Sequence, residues 1–415
     1  MANKMIFSLD IGCSKIVALV GSIDERVEVH GVSTYYFTNN INGNDFSNIT
    51  NGIIINLEQI GAFVNQTLNE ARIEADCSIG SVVINISGLK VCNLYSTDEI
   101  LLVNQNISAQ HIKDLIDNAI KVKLPDNYEL LDYEVQEYLV DEENYTLNPL
   151  HLMANKLKSN INLFLGARNQ IANITKVIRY SGFNLSKIVP SGILSGMSVL
   201  NREEKELGCC LLDIGSGTTD IIVFENGFIR YLYSLPIGGE NITNDIASVL
   251  KISRNLAEDI KLNYGSCSYI GNTIKLVEGI SLSDHRGINI SISRKLLVDI
   301  ITERVKEIFE LVKQNLVKQN IHDIINSGIV ITGGTALLPN IEDLSKQYFG
   351  LPVRIGAVEY EGDFSDIVIN PKYATSFGGL NFVKDYMASE FGGRKLEVAK
   401  NGNISIFAKI KQFFS

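Results

Sequence analysis

Cysteine is sparse and scattered. Its six copies stand at Cys13, Cys77, Cys92, Cys209, Cys210 and Cys267, with no Cys-x-x-Cys pair among them. That scatter excludes a disulfide framework and zinc-finger spacing, and leaves buried thiols in a reducing compartment. The five histidines (His30, His111, His151, His285 and His322) are as dispersed, and no His-Glu-x-x-His occurs, so no metal centre built from protein ligands is expected. No apolar run approaches the roughly 18 residues that span a bilayer. The stretch Met5-Ile6-Phe7-Ser8-Leu9 runs straight into Asp10 and is too short for a secretory signal, which points to the cytoplasm. Positive charge is not in excess either. The formal net charge is −10, and no basic stripe with interleaved aromatics appears in the body of the chain, so nucleic acid is not an expected partner. The Walker pattern Gly-x-x-x-x-Gly-Lys-Ser/Thr and the Rossmann Gly-x-Gly-x-x-Gly are both absent, which removes the commoner nucleotide folds.

What is there is an ordinary globular composition, 45% hydrophobic and 20% charged, spread over 415 residues, enough for two domains or more. Residues 5–10, 16–22 and 27–36 read as strands, the first two joined by a glycine turn. A helix is expected over 57–72, where Leu57, Ile60, Phe63, Val64 and Leu68 fall at helical spacing, and a buried strand over 81–87. From about 88 to 159 the pattern shifts to short strands and one helix (109–122), read as an insertion. Residues 162–166 then resume a core strand, followed by a helix over 169–181. After a further helix and the charged turn Arg202-Glu203-Glu204-Lys205-Glu206, residues 209–213 and 220–224 repeat the opening hairpin about 200 residues later. Each copy has an apolar strand, Asp-Ile-Gly, a small polar tip and a second apolar strand. An internal duplication is the natural reading.

The tips carry the chemistry. They are Asp10-Ile11-Gly12-Cys13-Ser14-Lys15 and Asp213-Ile214-Gly215-Ser216-Gly217-Thr218-Thr219-Asp220. Glycine in such a turn lets backbone N–H groups face a ligand without a side chain intervening. A nest of amides binds phosphate oxygens, and a neighbouring hydroxyl or ammonium adds a charge-assisted contact. A carboxylate would repel phosphate directly, but Asp10 and Asp213 can hold the waters of a Mg²⁺ ion, which keeps much of its hydration shell. A third glycine turn, Gly333-Gly334-Thr335, follows the apolar run Ile329-Val330-Ile331.

In this order the motifs resemble the actin, Hsp70 and sugar-kinase superfamily, and within it the FtsA family of bacterial cell-division proteins over nearly the whole chain. The resemblance rests on both tips, Gln136-Glu137-Tyr138, Asn148-Pro149-Leu150, Ala257-Glu258-Asp259-Ile260-Lys261, Gly328 to Gly334 and Val353-Arg354-Ile355-Gly356. It implies an α/β, actin-like (duplicated ribonuclease H-like) two-domain fold with ATP and Mg²⁺ in the cleft. Asp10, Gly12, Cys13, Ser14 and Lys15 would form one phosphate loop. Asp213, Gly215, Ser216, Gly217, Thr218 and Thr219 would form the other. Gly238, Gly239 and Glu240, with Glu258, Lys261, Gly333, Gly334 and Thr335, would surround the nucleoside. Gln136 would position the attacking water in an ATPase that is slow at most. Two departures stand out. Cys13 replaces a threonine, and Ser216 replaces a third glycine and is expected to strain a left-handed backbone.

The resemblance divides the chain into subdomain 1A (1–87 and 160–202), the inserted 1C (88–159), 2A (203–230 and 325–390), 2B (231–324), a flexible linker (391–403) and an amphipathic membrane-targeting helix (404–415). In that last segment Ile406, Phe407, Ile410, Phe413 and Phe414 share one helical face, bordered by Lys409 and Lys411, a pattern suited to an anionic bilayer surface. The family implies a peripheral protein on the cytoplasmic face of the inner membrane at the division septum, with the cytoskeletal protein FtsZ, other divisome membrane proteins and further copies of itself as partners. A pilus-assembly ATPase of the same architecture and a small-molecule kinase of the same fold are the alternatives.

Overall fold

The computed structural model describes residues 5–24, 26–37, 48–269, 279–283 and 289–391. The amphipathic segment 404–415 and the linker before it lie outside the described residues. The chain opens with β1 (Ile6–Ile11), β2 (Lys15–Ile23) and β3 (Val27–Tyr36), then a small hairpin of β4 (Ile49–Thr50) and β5 (Ile53–Ile54), α1 (Leu57–Glu74) and β6 (Ser81–Ile86). The insertion follows as β7 (Cys92–Asn106), α2 (Ala109–Ala119), β8 (Tyr128–Val140), β9 (Asn144–Thr146) and β10 (Met153–Ala167). Next come α3 (Arg168–Ser181), β11 (Asn184–Pro190), α4 (Ser191–Val199) and α5 (Arg202–Leu207). The second half holds β12 (Cys209–Ile214), β13 (Thr219–Glu225), β14 (Phe228–Leu235), α6 (Gly239–Leu250), α7 (Arg254–Tyr264), β15 (Gly279–Ser283), β16 (Asn289–Ser293), α8 (Arg294–Lys318), β17 (Ile329–Thr332), α9 (Ile341–Phe349), β18 (Val353–Ile355), α10 (Ser365–Val368) and α11 (Ala374–Phe391).

The duplication is visible in the sheets. The first half orders its strands β11-β6-β1-β2-β3, and the second runs β18-β17-β12-β13-β14. In each, an antiparallel hairpin is extended on its first strand by parallel strands: β1 by β6 and β6 by β11, β12 by β17 and β17 by β18. The central strands are apolar on both faces because helices cover both, as parallel sheets require. Local signals set the helix ends. The Asn56 side chain caps α1 by accepting from the Gln59 amide, Ser108 and His111 form a capping box on α2, and Gly182 ends α3 at φ 78°.

Two boundaries differ from the sequence reading. Residues 162–166 do not return to the first sheet. They are the second half of β10, which pairs with β7 from Met153 to Leu165 and with β8 to Ala167. The insertion therefore ends with the strand, since a continuous ladder does not break at residue 160. Helix α11, expected with the second half, packs instead on β1, β2 and β6 of the first, and its Phe377, Leu380 and Val383 join a core to which both halves contribute. It packs there because Gly378 and Gly379 let its backbone lie against α4 and β1; a Cβ on either would meet Leu194 O at 1.9 Å or Ser8 Oγ at 2.0 Å. The insertion has a core of its own, built on α2, β7, β8 and β10. Its sheet continues that of the second half through one bridge, Tyr233 to Cys92.

Candidate nucleotide cleft

The two polar tips are the same turn built twice. Gly12 N–H donates to Lys15 O and Gly215 N–H to Thr218 O, both at 2.9 Å, and Ile11↔Ile16 and Ile214↔Thr219 close the two ladders. The turns face each other, for a Cβ on Gly217 would meet Cys13 Sγ at 2.6 Å. Between them lies a cavity of about 100 Å³, lined also by Gly52, Asn85, Ser87, Gln170, Asp220 and Lys372. Ser216, which was expected to strain the turn, is not among the residues with positive φ. Its position needs no left-handed backbone and so tolerates serine. Cys13 has a partner too: its Sγ accepts the Gly52 amide at 3.2 Å, and burial pushes its thiol up to about 11.

Three buried carboxylates line the cleft, and each is held by neutral donors. Asn85 donates to Asp10 Oδ1 (2.7 Å) and to Ser191 Oγ (3.0 Å), while its carbonyl accepts the Ile11 amide (2.8 Å). Ser195 and Thr375 both donate to Asp213 Oδ2. Ser87 Oγ reaches both oxygens of Asp220 at 3.0 and 2.8 Å. Burial, with added repulsion from Asp213, raises Asp10 to about 6 and Asp220 to about 7. Asp213 is raised by the same desolvation. Lys15 is pushed down by burial, though Asp10 opposes the shift; its Nζ donates to Lys372 O at 2.5 Å and lies 5.0 Å from the Tyr373 ring centre. Electrostatically this is a pocket of crowded carboxylates that gains from an added cation, ringed by backbone amides that suit an anion.

The remaining predicted residues pack around the second turn, and of these Gly333 and Gly334 line the cleft while Gly238, Gly239, Glu240, Glu258, Lys261 and Thr335 stand behind it. Gly333, at φ 86°, lies so close to Asp213 that a Cβ would sit 2.4 Å from Oδ1. Thr335 Oγ1 donates to Gly215 O at 2.9 Å. Gly238 and Gly239 start α6 against the second turn, where a Cβ would meet Ser216 O at 2.6 Å and Thr335 Oγ1 at 2.5 Å. Lys261 Nζ donates to Gly239 O (3.0 Å) and Thr243 Oγ1 (2.8 Å) and pairs with Glu258 at 2.7 Å. Glu240 pairs with Arg254. Ser14 lines the cleft with Gly12 and Lys15, as Thr218 does with Gly334, and Thr219, fully buried, donates to Ile237 O at 2.8 Å.

Gln136 is not brought into this group. It lies in β8 of the insertion, where its amide donates to Glu134 Oε2 at 2.8 Å and approaches Ile229 O at 3.5 Å, and it does not line the cleft. The long strands of the insertion carry it to the edge of β14 instead. Asp220, Ser87, Asn85, Gln170 and Lys372 were not singled out as site residues. Only Asp220 carries a visible signal in the sequence, as the last residue of the second polar tip. Among the described residues no three His, Cys, Asp or Glu side chains are placed to hold a metal by themselves, and no helix is long and apolar enough to cross a membrane.

The doubled half-fold and the cleft between its paired turns define an actin-like protein. Solved structures agree at the level of fold: a PilM-PilN type IV pilus biogenesis complex (TM-score 0.61, 13% identity, 90% of this chain and 97% of that one) and MreB5 of Spiroplasma citri bound to ADP (TM-score 0.60, 15% identity, 94% and 99%). The family model described as cell division protein FtsA matches residues 210–378, and the SHS2 domain inserted in FtsA matches 90–165. The cell division protein FtsA of Pseudomonas aeruginosa is 33% identical over 94% of this chain and 93% of its own length. That of Neisseria meningitidis is 31% identical (91% and 90%), and that of Escherichia coli strain K12 is 27% identical (100% and 97%). The chain belongs to the FtsA family of cell division proteins.

Proposed function

We propose that this chain is an ATP-dependent, actin-like filament subunit that tethers FtsZ to the inner membrane at the division septum and recruits later divisome proteins. The observation that carries the reading is the opposition of two equivalent amide-lined turns, one from each half, across a cluster of buried carboxylates. A nucleotide bridging them favours the state in which the halves are together, as a ligand that prefers one of two conformations must. The donor set fits magnesium ATP. Gly12, Ser14, Lys15, Gly215, Gly217 and Thr218 would meet the phosphates. Asp10 and Asp213, joined by Asp220, would hold the water shell of Mg²⁺, which relieves their mutual repulsion and screens the phosphate charge. Gly239, Glu258, Lys261, Gly334 and Thr335 would flank the nucleoside.

Ser87 and Asp220 stand where the cleft offers a hydrogen-bond acceptor, which makes slow hydrolysis compatible with the site, but a switch needs only binding. The sequence of 404–415, with its apolar face and bordering lysines, supports reversible attachment to an anionic membrane, strengthened by avidity in a filament. The test is co-sedimentation with anionic liposomes, ATP and FtsZ, comparing the full chain with one ending at Gly402. The full chain should pellet and carry FtsZ with it. Equal pelleting of both chains would sink the tether.

A further inference from the structure

The insertion grips the second half through side chains that take the place of a strand. On β14, the two polar groups of Ile229 are both held: Glu134 Oε2 accepts its N–H at 3.0 Å, and Asn162 Nδ2 donates to its carbonyl at 2.7 Å. Asn162 is fully buried. Asn93 joins the same row, donating to Asn162 Oδ1 at 2.8 Å and accepting the Leu232 amide at 2.9 Å, and Tyr95 OH donates to Arg230 O at 2.8 Å. Gln136 braces Glu134 from behind. Side chains from β7, β8 and β10 thus serve peptide groups along one edge of β14, so the clasp is specific in register and costly to open.

The other end of β14 abuts the cleft through Ser87, one of its lining residues. Ser234 accepts the Gly88 amide at 2.8 Å and lies 3.2 Å from Ser87 Oγ, which holds Asp220. The strand then leads into Gly238 and Gly239 beside the second turn. Its partner β13 starts at Thr219, next to that turn, and runs back to Glu225. The pair is about 25 Å long at the usual rise, and β13 is laddered along its other edge to β12, so the clasp, the second turn and the sheet of the second half move as a unit. The insertion is joined to the first half as well, through the chain itself and the buried pair Lys187–Asp132 at 3.3 Å. It therefore straddles the joint between the halves.

We infer that the β13–β14 hairpin is a lever linking the cleft to the insertion, so that the insertion is the moving output of the nucleotide switch. This rests on the switch reading above. Glu134, Gln136, Asn93 and Asn162 are on this account positioning residues of the clasp, which gives Gln136 a role away from the phosphates.

Two readouts test it on the full chain. Without nucleotide, Asn162→Leu should speed amide exchange at residues 234–239 by about fivefold, since one buried hydrogen bond to the lever is lost. Tyr95→Phe, at a half-exposed position that leaves the core intact, should do so by a smaller factor. Unchanged exchange in both variants would overturn the lever. With MgATP, the distance between spin labels at Leu101→Cys on the insertion and Ile73→Cys on α1 of the first half, both exposed, should shift in the parent chain. The shift should vanish in Asn162→Leu while ATP affinity stays within about threefold. A shift that persists there, or a parent chain that binds ATP without one, would overturn the inference. Failure to bind ATP at all would instead count against the switch reading, with the exchange measurement still deciding the lever.

Discussion

Gly333 shows most directly how the cleft depends on single residues. Its φ of 86° and the 2.4 Å approach of a Cβ to Asp213 Oδ1 leave room for no side chain, and left-handed backbone adds about 1–2 kcal/mol for any other residue. Gly333→Ala should lower stability by roughly 2 kcal/mol or more and weaken ATP binding by displacing Asp213; urea melts and a nucleotide titration check the two effects. The carboxylates make a pH prediction. With Asp10 near 6 and Asp220 near 7 against an ordinary 3.8, the folded protein binds more protons than the unfolded chain between about pH 4 and 7. Their contribution is then fully present below about pH 4 and is lost as pH rises through 6 and 7, at a cost on the order of a few kcal/mol. Against the background of all other groups, Asp220→Asn should raise the thermal midpoint at pH 8 by several degrees relative to the parent and narrow that gap at pH 5. A gap that is the same at both pH values would contradict the assignment.

At the scale of elements, α4 and α11 form the joint between the halves. Ser195 and Thr375 meet on Asp213, and Ser8 Oγ donates to Ser376 O at 2.6 Å, so polar residues of both helices reach the cleft floor. Gly378→Ala, with its Cβ 1.9 Å from Leu194 O, should force the helices apart and cost more than the ~1–3 kcal/mol of ordinary overpacking, seen as a lower urea midpoint. This joint was not legible in the sequence. Phe377, Leu380 and Val383 mark an apolar helix face, but such a face does not say which sheet it covers. The hairpins were legible, because two-sided apolar strands flanking Asp-Ile-Gly admit little else. Gln136 misled for a related reason: a polar residue in a strand has a partner somewhere, and only the fold shows that its amide donates to Glu134 beside β14 rather than to a phosphate-bound water. Asn85 and Ser87 were missed because nothing local distinguishes them from any strand end.

For the whole molecule, the account is one of two halves held by a shared ligand. Any ligand bound only by the folded state stabilises it by mass action, by about 2.7 kcal/mol at a hundredfold excess over the dissociation constant. MgATP should therefore raise the thermal midpoint by several degrees, and ATP without the metal by less. The direct test of the central claim is a calorimetric titration of the full chain with MgATP, repeated on Lys15→Ala from the first turn and Asp213→Ala beside the second. The account predicts one saturable site in the parent and a loss of tenfold or more in affinity in each variant, because both halves hold the same nucleotide. Unchanged affinity in either variant, or no saturable binding to the parent at millimolar ATP, would contradict it.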